Sequence, residues 1–463
     1  MKKVLALGLV IALTMGTCIG CTSDTGSSSS STTTTTSGET EDGSEAFDGT
    51  IYWLNYKPEV SEGMQVIAEA YTAETGIDVK IETAASGTYE STLTVEMDKT
   101  DSPTIFVVDN LQMLSRWKDY TRELSDTELY SMMSDTSYVA ADEDGIFGIS
   151  YALESYGIIV NESILNDYFA LDTKNTDVTT VEELYEFENL KAVVEDMQAN
   201  KDALGIQGVF GSTSLQTGDA WRYTTHLFNQ PIYWELGADA DLSGDIPEFT
   251  FEYEDYFKNI FDLYINNSIT EPTLVGSKTV DESMAEFALG QVAMIQNGDW
   301  AWSTIEGTDG AVANADNVLF IPITMGVDGE ESLGLCTGAG QYMCINSTKS
   351  DAEQEAALEF LTWLFSSETG TQLVAEELQF VTPFSTMADA EYNNPLFASA
   401  NEIAASGQVA YPWVMTLIPS EDFKNSLGSD LLLYAQGQLE WDTLVQNTVD
   451  NWAYERELAN NTN

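Results

Sequence analysis

Basic residues are scarce in this sequence: 17 Lys and Arg stand against 76 Asp and Glu in 463 residues, a formal net charge of −59. A surface this negative repels nucleic acid and anionic lipid headgroups, so we expect neither as a partner. The acidic residues are dispersed rather than clustered. Dispersed charge favours solubility over metal capture as its explanation, and no metal site is predicted.

Cysteine and histidine are also rare, with four Cys and one His. Cys18 and Cys21 lie near the N-terminus, so Cys336, Cys344 and His226 are the thiols and the imidazole left for the folded body. A zinc site or a Cys–His catalytic site is therefore not expected, and no cofactor is predicted. Cys336 and Cys344 are compatible with either a disulfide or two buried thiols.

After the N-terminal segment, no apolar stretch reaches the length of about 18 residues that a membrane-spanning helix needs. Residues 4–15 are apolar apart from Gly8 and Thr14, and Lys2 and Lys3 precede them. This stretch is too short to span a bilayer and is typical of a signal peptide, predicted over residues 1–20.

The sequence Gly20-Cys21 resembles the lipobox of bacterial lipoproteins, although Cys18 stands where Leu is usual. The resemblance implies cleavage before Cys21 and lipidation of its thiol, which would anchor the protein to the outer face of the cytoplasmic membrane. An ordinary signal peptide is the alternative. Residues 22–46 are nearly all Ser, Thr, Gly, Asp and Glu, so residues 21–46 predict a lipidated Cys and a flexible linker.

The remaining residues, 47–463, are long enough for two domains. Residues 49–54 predict a strand, residues 64–75 a helix that Gly76 ends, and residues 77–82 a second strand, which together make a βαβ unit. Further strands are predicted at 104–108, 146–149, 155–160, 318–323 and 341–345, and helices at 180–198, 253–265, 281–290, 355–365 and over most of the chain after 385.

Several motifs, in this order, resemble those of the extracellular solute-binding proteins of ABC importers, in particular the sugar-binding group that includes maltose-binding protein. They are the helix and strand at 68–79, the strand at 151–161, the strand ending in Gly-x-Trp at 293–300, and the helix at 355–365 with Thr382-Pro383. The resemblance spans most of the mature chain. It implies an α/β, two-lobed periplasmic-binding-protein-like (type II) fold with a hinge and an interlobe cleft.

The same resemblance implies how the molecule is divided and how it works. Lobe 1 would comprise residues 47–140 and 325–382, and lobe 2 residues 141–324 and 383–463. A small solute would bind between the lobes, close them by a hinge motion, and be delivered to a membrane permease whose partner hydrolyses ATP. We expect a monomer without catalytic residues.

Polar residues that directly follow predicted strands are the first candidates for ligand contacts, because ligands of open α/β sheets bind beyond the carboxyl ends of strands. Asn55, Lys57 and Glu59 follow the first strand, and Asp109 and Asn110 follow the strand at 104–108. Two alternatives stay open: Lys57 and Glu59 pairing with each other, and Asp109 capping the next helix.

The resemblance adds a second group that combines carboxylates with aromatic rings, as a sugar requires for its hydroxyls and its apolar faces: Glu154, Tyr156, Asp299, Trp300 and Trp413. A structural hydrogen-bond network is the alternative for Glu154. Trp413 is expected in the C-terminal helical section. Trp221 and Arg222 are plausible as a further ring and a guanidinium fork in the second lobe.

Two other functions fit parts of this pattern. A polyamine or peptide receptor would use Glu59, Asp109, Glu154 and Asp299 to surround amines. A carbohydrate-acting enzyme would use a carboxylate pair such as Glu154 and Asp299. The sequence lacks a nucleophile elbow, a Walker loop and a dinucleotide fingerprint, so we predict a binding protein, not an enzyme.

Overall fold

The computed structural model describes residues 47–462 except 86, 213, 239, 241, 243 and 244. The predicted signal peptide, Cys21 and the linker therefore lie outside the described residues. Within the described part, no helix combines the length and the apolar character needed to cross a bilayer.

The strands of the described residues are β1 (Thr50–Asn55), β2 (Asp78–Thr83), β3 (Ile105–Val108), β4 (Val139–Asp142), β5 (Gly145–Ser150), β6 (Leu153–Asn161), β7 (Gly208–Phe210), β8 (Val292–Gly298), β9 (Val318–Ile321), β10 (Leu333–Ala339), β11 (Tyr342–Ile345) and β12 (Val409–Pro412).

The α-helices are α1 (Ser61–Thr75), α2 (Tyr89–Met97), α3 (Leu111–Trp117), α4 (Glu128–Ser131), α5 (Glu162–Phe169), α6 (Phe187–Ala199), α7 (Lys201–Leu204), α8 (Asn229–Leu236), α9 (Glu254–Asn266), α10 (Val280–Ala288), α11 (Trp302–Glu306), α12 (Asp351–Ser366), α13 (Glu368–Leu373), α14 (Pro395–Ala405), α15 (Glu421–Ala435) and α16 (Trp441–Thr462). Two further segments, Arg222–Leu227 and Val374–Leu378, are π-helical.

The first sheet has the strand order β2-β1-β3-β11-β5-β4. β1 pairs in parallel with β2 and β3, as the predicted βαβ unit requires, and β11, β5 and β4 continue the sheet with antiparallel pairing. Helix α1 ends at Gly76, whose φ of 78° is the left-handed conformation that glycine adopts without steric cost. Its buried residues Met64, Ile67 and Tyr71 pack into the core of this sheet.

The second sheet has the order β12-β10-β6-β8-β7. The first half of β6 pairs with β10, its second half pairs with β9, and β8 lies along its other edge. Each sheet has its own large hydrophobic core. The molecule therefore has the two lobes that the sequence predicts, and β6 brings the site residues Glu154 and Tyr156 into the second sheet.

The predicted lobe boundaries differ from the observed sheets in two places. β5 and the second half of β4, in the range predicted for lobe 2, belong to the first sheet, and β10, in the range predicted for lobe 1, belongs to the second. The chain crosses between sheets at residues 151–152, at 340–341, and a third time between β11 and β12. Local periodicity marks where strands begin and end, but sheet membership depends on pairing with residues far along the chain.

Cys336 and Cys344 are free, buried thiols. Cys336 lies on β10 in the second sheet and Cys344 on β11 in the first, with the crossing at 340–341 between them. Of the two sequence-based alternatives, the structure shows the pair of buried thiols.

Candidate functional site

Asn55 ends β1 and forms the turn that carries Lys57. Its Oδ1 accepts from the Lys57 N–H at 3.1 Å, while its Nδ2 donates to the Lys57 carbonyl at 2.7 Å and to Thr83 Oγ1 at 3.1 Å. Both ends of this buried amide are thus engaged inside the first lobe. These bonds favour a positioning role for Asn55 over the predicted ligand contact.

Lys57 joins the two lobes through a buried ion pair. Its side chain is only 5% exposed, and its Nζ lies 2.5 Å from Glu154 Oε1, on β6, and 3.3 Å from Glu59 Oε1. The predicted alternative of a Lys57–Glu59 pair is therefore present, but Glu154 makes the shorter contact. Because charge-assisted hydrogen bonds are short and strong, this triad fixes both carboxylates at the boundary between lobes.

Burial and charge act in opposite directions on the pKa of Lys57. Burial lowers it, but the negative charges of Glu154 and Glu59 and their hydrogen bonds prevail and raise the pKa above its ordinary value. Burial raises the pKa of Glu154, against the opposing charge of Lys57. Lys57 therefore stays protonated at neutral pH and neutralises part of the negative charge around it.

Asp299 and Trp300 follow β8 in a short 3₁₀ turn, Asp299–Ala301. The Ser155 N–H donates to Asp299 Oδ2 at 2.8 Å, so the carboxyl group is held against the start of β6. Burial, and then the charge of Glu154, raise the pKa of Asp299 well above its usual range. The Lys57 Nζ lies 6.0 Å from the centroid of the Trp300 ring.

These residues enclose one small cavity between the two sheets. Of the predicted site residues, it is lined by Glu59, Glu154, Asp299 and Trp300; the other lining residues are Val60, Leu153, Ser303, Leu378, Gln379, Phe380, Val381, Asn394 and Phe397. Carboxylates and an aromatic ring from both lobes thus meet at one place. We call this space the interlobe cavity.

The raised pKa of Asp299 predicts a pH-dependent effect of Asp299→Asn. A carboxyl group whose pKa is higher in the folded state than in the unfolded state makes the protein less stable as pH rises. For Asp299 this loss begins near pH 4, the ordinary pKa of Asp, and continues up to the raised pKa of the folded state. The variant lacks this titration. We expect its melting temperature, relative to wild type, to increase from pH 4 to pH 8 in thermal unfolding followed by circular dichroism. A difference that is constant over this range would contradict the assignment.

Five aromatic side chains of the second lobe form a continuous cluster, which we call the aromatic wall: Tyr156, Trp221, His226, Trp300 and Trp413. Tyr156 stacks on His226 with ring centroids 4.2 Å apart, and Trp221 meets His226 edge-on at 4.8 Å. Trp300 lies 5.2 Å from His226 and 6.2 Å from Trp221. The wall therefore groups three predicted tryptophans with Tyr156 and with His226, which was not predicted.

The π-helix Arg222–Leu227 explains how Trp221 and His226 meet. In a π-helix the hydrogen bonds join residues five apart, as the Phe228 N–H to Tyr223 carbonyl bond of 3.1 Å shows here. Burial, followed by the charges of Arg222 and Lys57, lowers the pKa of His226 well below its usual range. The imidazole is therefore neutral at physiological pH.

Arg222 lies against the face of Trp221, with its guanidinium carbon 3.8 Å from the ring centroid. Its Nε donates to Asn297 Oδ1 at 3.2 Å. Burial lowers the pKa of Arg222 to about 9, against the opposing charges of Asp219 and Glu59. At neutral pH Arg222 therefore remains a cation that packs against the Trp221 ring of the aromatic wall.

Trp413 directly follows β12, a short strand in a C-terminal section that is otherwise mostly helical, as predicted. The strand itself was not predicted, because it forms by pairing with β10, more than 70 residues earlier, through Cys336↔Tyr411 and Thr337↔Pro412. The indole packs over Gly338 of β10, where an added Cβ would lie 2.7 Å from Trp413 Cδ2. The ring centroid is 6.1 Å from that of Tyr156.

Asp109 and Asn110 stand apart from the interlobe cavity. Asn110 is the N-cap of α3, since its Oδ1 accepts from the Met113 N–H at 2.7 Å. The capping role considered for Asp109 thus belongs to its neighbour. Burial raises the pKa of Asp109, while the positive charge of Lys424 on α15 opposes that shift. The charge of Lys424 therefore acts on Asp109 across the boundary between the lobes.

Several buried polar atoms of the wall and its surroundings lack hydrogen-bond partners: Trp300 Nε1, Trp413 Nε1, His226 Nδ1, Asn297 Nδ2 and Gln379 Oε1. An unsatisfied buried polar group costs about 1–3 kcal/mol, so proteins rarely concentrate them in one place. Indole N–H and amide NH₂ groups are donors. This region therefore has unmet capacity for a polar ligand.

Some residues of the site were not predicted from the sequence. His226 depends on the π-helix, Gln379 and Phe380 follow a second π-helix, and Asn394 and Phe397 approach the cavity at the start of α14. That His226 is the single histidine of the sequence was the one available signal. The others carry no local pattern.

Comparison with known proteins fits this geometry. The model of a family described as bacterial extracellular solute-binding protein matches residues 66–405, more than half of the chain. The chain belongs to this family. Among curated proteins, no match was found for this solute-binding protein.

Solved structures show the same two-lobed fold. A chitin oligosaccharide binding protein aligns with a TM-score of 0.68 at 18% identity, covering 89% of this chain and 100% of that one. The GacH receptor of Streptomyces glaucescens, solved unliganded and with acarbose, aligns at 0.64 and 14%, covering 89% and 99%. The maltose/maltodextrin-binding domain MalE of Bdellovibrio bacteriovorus, bound to maltotriose, aligns at 0.61 and 17%, covering 88% and 100%. At these identities the alignments establish the fold alone.

Proposed function

We propose that this solute-binding protein captures a sugar or oligosaccharide in the interlobe cavity and delivers it to the permease of an ABC importer. The observation that carries the proposal is the meeting of Glu59, Glu154, Asp299 and the ring of Trp300 at one cavity between the lobes. Carboxylates suit sugar hydroxyls, and a flat indole suits the apolar face of a sugar ring. Structural relatives that bind chitin oligosaccharide, acarbose and maltotriose support the ligand class.

Ligand binding would couple the lobes. Glu59 and Gln379 reach the cavity from the first lobe and Asp299 and Trp300 from the second, so a sugar touching all four stabilises the closed form over the open one. Only such a difference in affinity shifts the population. The closed monomer would then dock on the permease, while a lipid on Cys21 keeps it at the outer face of the membrane.

A polyamine receptor is the second binding function, and one contact argues against it. The carboxylates that would surround an amine, Glu154 and Glu59, already hold the Lys57 ammonium at 2.5 and 3.3 Å. A cationic ligand would have to compete with this buried cation. A neutral polyhydroxylated ligand does not.

Thermal-shift measurements with maltotriose, raffinose, a chitin trisaccharide and spermidine test the proposal. A ligand at 100 times its dissociation constant adds about 2.7 kcal/mol of stability, which is a measurable rise in melting temperature. We expect at least one sugar to raise it and spermidine not to. A shift with spermidine alone would show that the sugar assignment is wrong.

Catalysis is tested separately. The family and the solved relatives are binding proteins. We propose that this protein likewise leaves its ligand intact. Chromatography of the bound sugar after prolonged incubation should show no product, and accumulation of shorter sugars would instead support an enzyme.

A further inference from the structure

Gln379 is held in a conformation that a glutamine rarely adopts. With φ of 52° and ψ of 43°, it is in the left-handed region at the end of the π-helix Val374–Leu378, where its N–H donates to the Val374 carbonyl. Helices commonly end on a left-handed residue, but that residue is usually Gly or Asn because a longer side chain introduces steric strain. Among the described residues, Phe251 and Gln341 are the other non-glycine residues with positive φ.

The side chain of Gln379 is not fully paired within the protein. Its Oε1 is buried without a hydrogen-bond partner. Of the three left-handed non-glycine residues, Gln379 is the one that lines the interlobe cavity, where it joins Glu154, Asp299 and Trp300. Gln341 shares the left-handed backbone and the buried, unpartnered Oε1, so the position at the cavity is what distinguishes Gln379. Backbone strain at a binding site is an observation from which a functional role can be inferred.

The chemistry of a carboxamide complements the other groups of the cavity. Ionised carboxylates only accept hydrogen bonds and the Trp300 indole only donates, whereas a carboxamide does both. A sugar hydroxyl can therefore donate to Oε1 while accepting from Nε2. The amide adds this capacity without adding charge to a site that already holds Glu59, Glu154 and Lys57.

We propose that Gln379 is a ligand-binding residue of the first lobe, and that its left-handed backbone is retained to present the carboxamide to the solute. The inference rests on the proposed sugar-binding function and names a specificity-determining contact within it. Gln379 would therefore lower the stability of the fold while raising the affinity for the ligand, and these two effects can be measured separately.

Gln379→Gly tests this separation, because glycine adopts the left-handed conformation freely and removes the amide. We expect the melting temperature of the unliganded variant to rise by about 2 °C. We expect the dissociation constant for whichever of maltotriose, raffinose or the chitin trisaccharide binds wild type to rise about tenfold by isothermal titration calorimetry. Gln372→Ala is the control, since it removes an exposed glutamine of the preceding helix α13 whose partner is Glu376. It should leave affinity unchanged.

A residue that only supports the fold would give a different result. An unchanged dissociation constant in Gln379→Gly, or a lowered melting temperature, overturns the inference. If wild type and Gln372→Ala bind none of the three sugars, the proposed function fails. The melting temperature then decides the inference alone, and a value for Gln379→Gly at or below that of wild type overturns it.

Discussion

Replacing Lys57 with methionine is expected to lower the free energy of unfolding by about 3 kcal/mol. The ammonium group is buried and lies 2.5 Å from Glu154 Oε1. Its removal leaves the buried Glu154 carboxylate with no cation close by. We expect the lower end of the range for broken buried pairs, because opening of the cleft would hydrate Glu154.

Urea unfolding followed by circular dichroism measures this loss. The double variant Lys57→Met with Glu154→Gln should recover most of it, since it removes the uncompensated charge. Lys80→Met is the matched control: its pair with Glu82 spans 2.9 Å but is 40% and 48% exposed, so we expect a change below about 1 kcal/mol. Equal losses for Lys57→Met and Lys80→Met would show that the interlobe pair is not formed.

A single methyl group at position 298 should weaken sugar binding about 30-fold or more. Gly298 lies beneath the Trp300 indole, and an added Cβ would overlap the six-membered part of that ring. The ring has to leave its place in Gly298→Ala, which removes the aromatic surface from the cavity. Truncating a central tryptophan typically costs 2 kcal/mol or more of binding free energy, and 1.4 kcal/mol is tenfold.

Calorimetric titration of Gly298→Ala, Trp300→Ala and the double variant tests whether one acts through the other. We expect the double variant to bind no more weakly than Trp300→Ala, because coupled residues are not additive. Gly334→Ala on β10 is the control, since a Cβ there meets its nearest atom at 3.3 Å. If the losses of affinity are additive, or if Gly298→Ala binds as tightly as wild type, Gly298 does not act through the position of the Trp300 ring.

Site residues that are placed by local sequence patterns could be predicted, whereas those placed by long-range contacts could not. Asp299 and Trp300 follow a strand with a clear apolar pattern, so their position at the cavity could be predicted. Glu154 could be predicted by resemblance. That Lys57 reaches Glu154 could not, because the two residues are 97 positions apart and belong to different lobes.

Errors arose where non-local pairing overrode local pattern. β12 is four residues long and lies between α14 and α15, so its helical surroundings concealed it. It becomes a strand because β10 offers it a free edge. β10 pairs with both β6 and β12, which places it in the second sheet. Its pairing with β12 brings Trp413 over Gly338.

Elements whose signals are local could be predicted from the sequence. These include the βαβ opening ended by Gly76, the strand that leads to Gly-x-Trp, and the long helix α12, because side-chain periodicity and glycine conformation act within a few residues. The folded structure was needed to show which strands share a sheet, how His226 enters the aromatic wall, and that Gln379 has a left-handed backbone. Those features depend on contacts between segments that lie far apart in the chain.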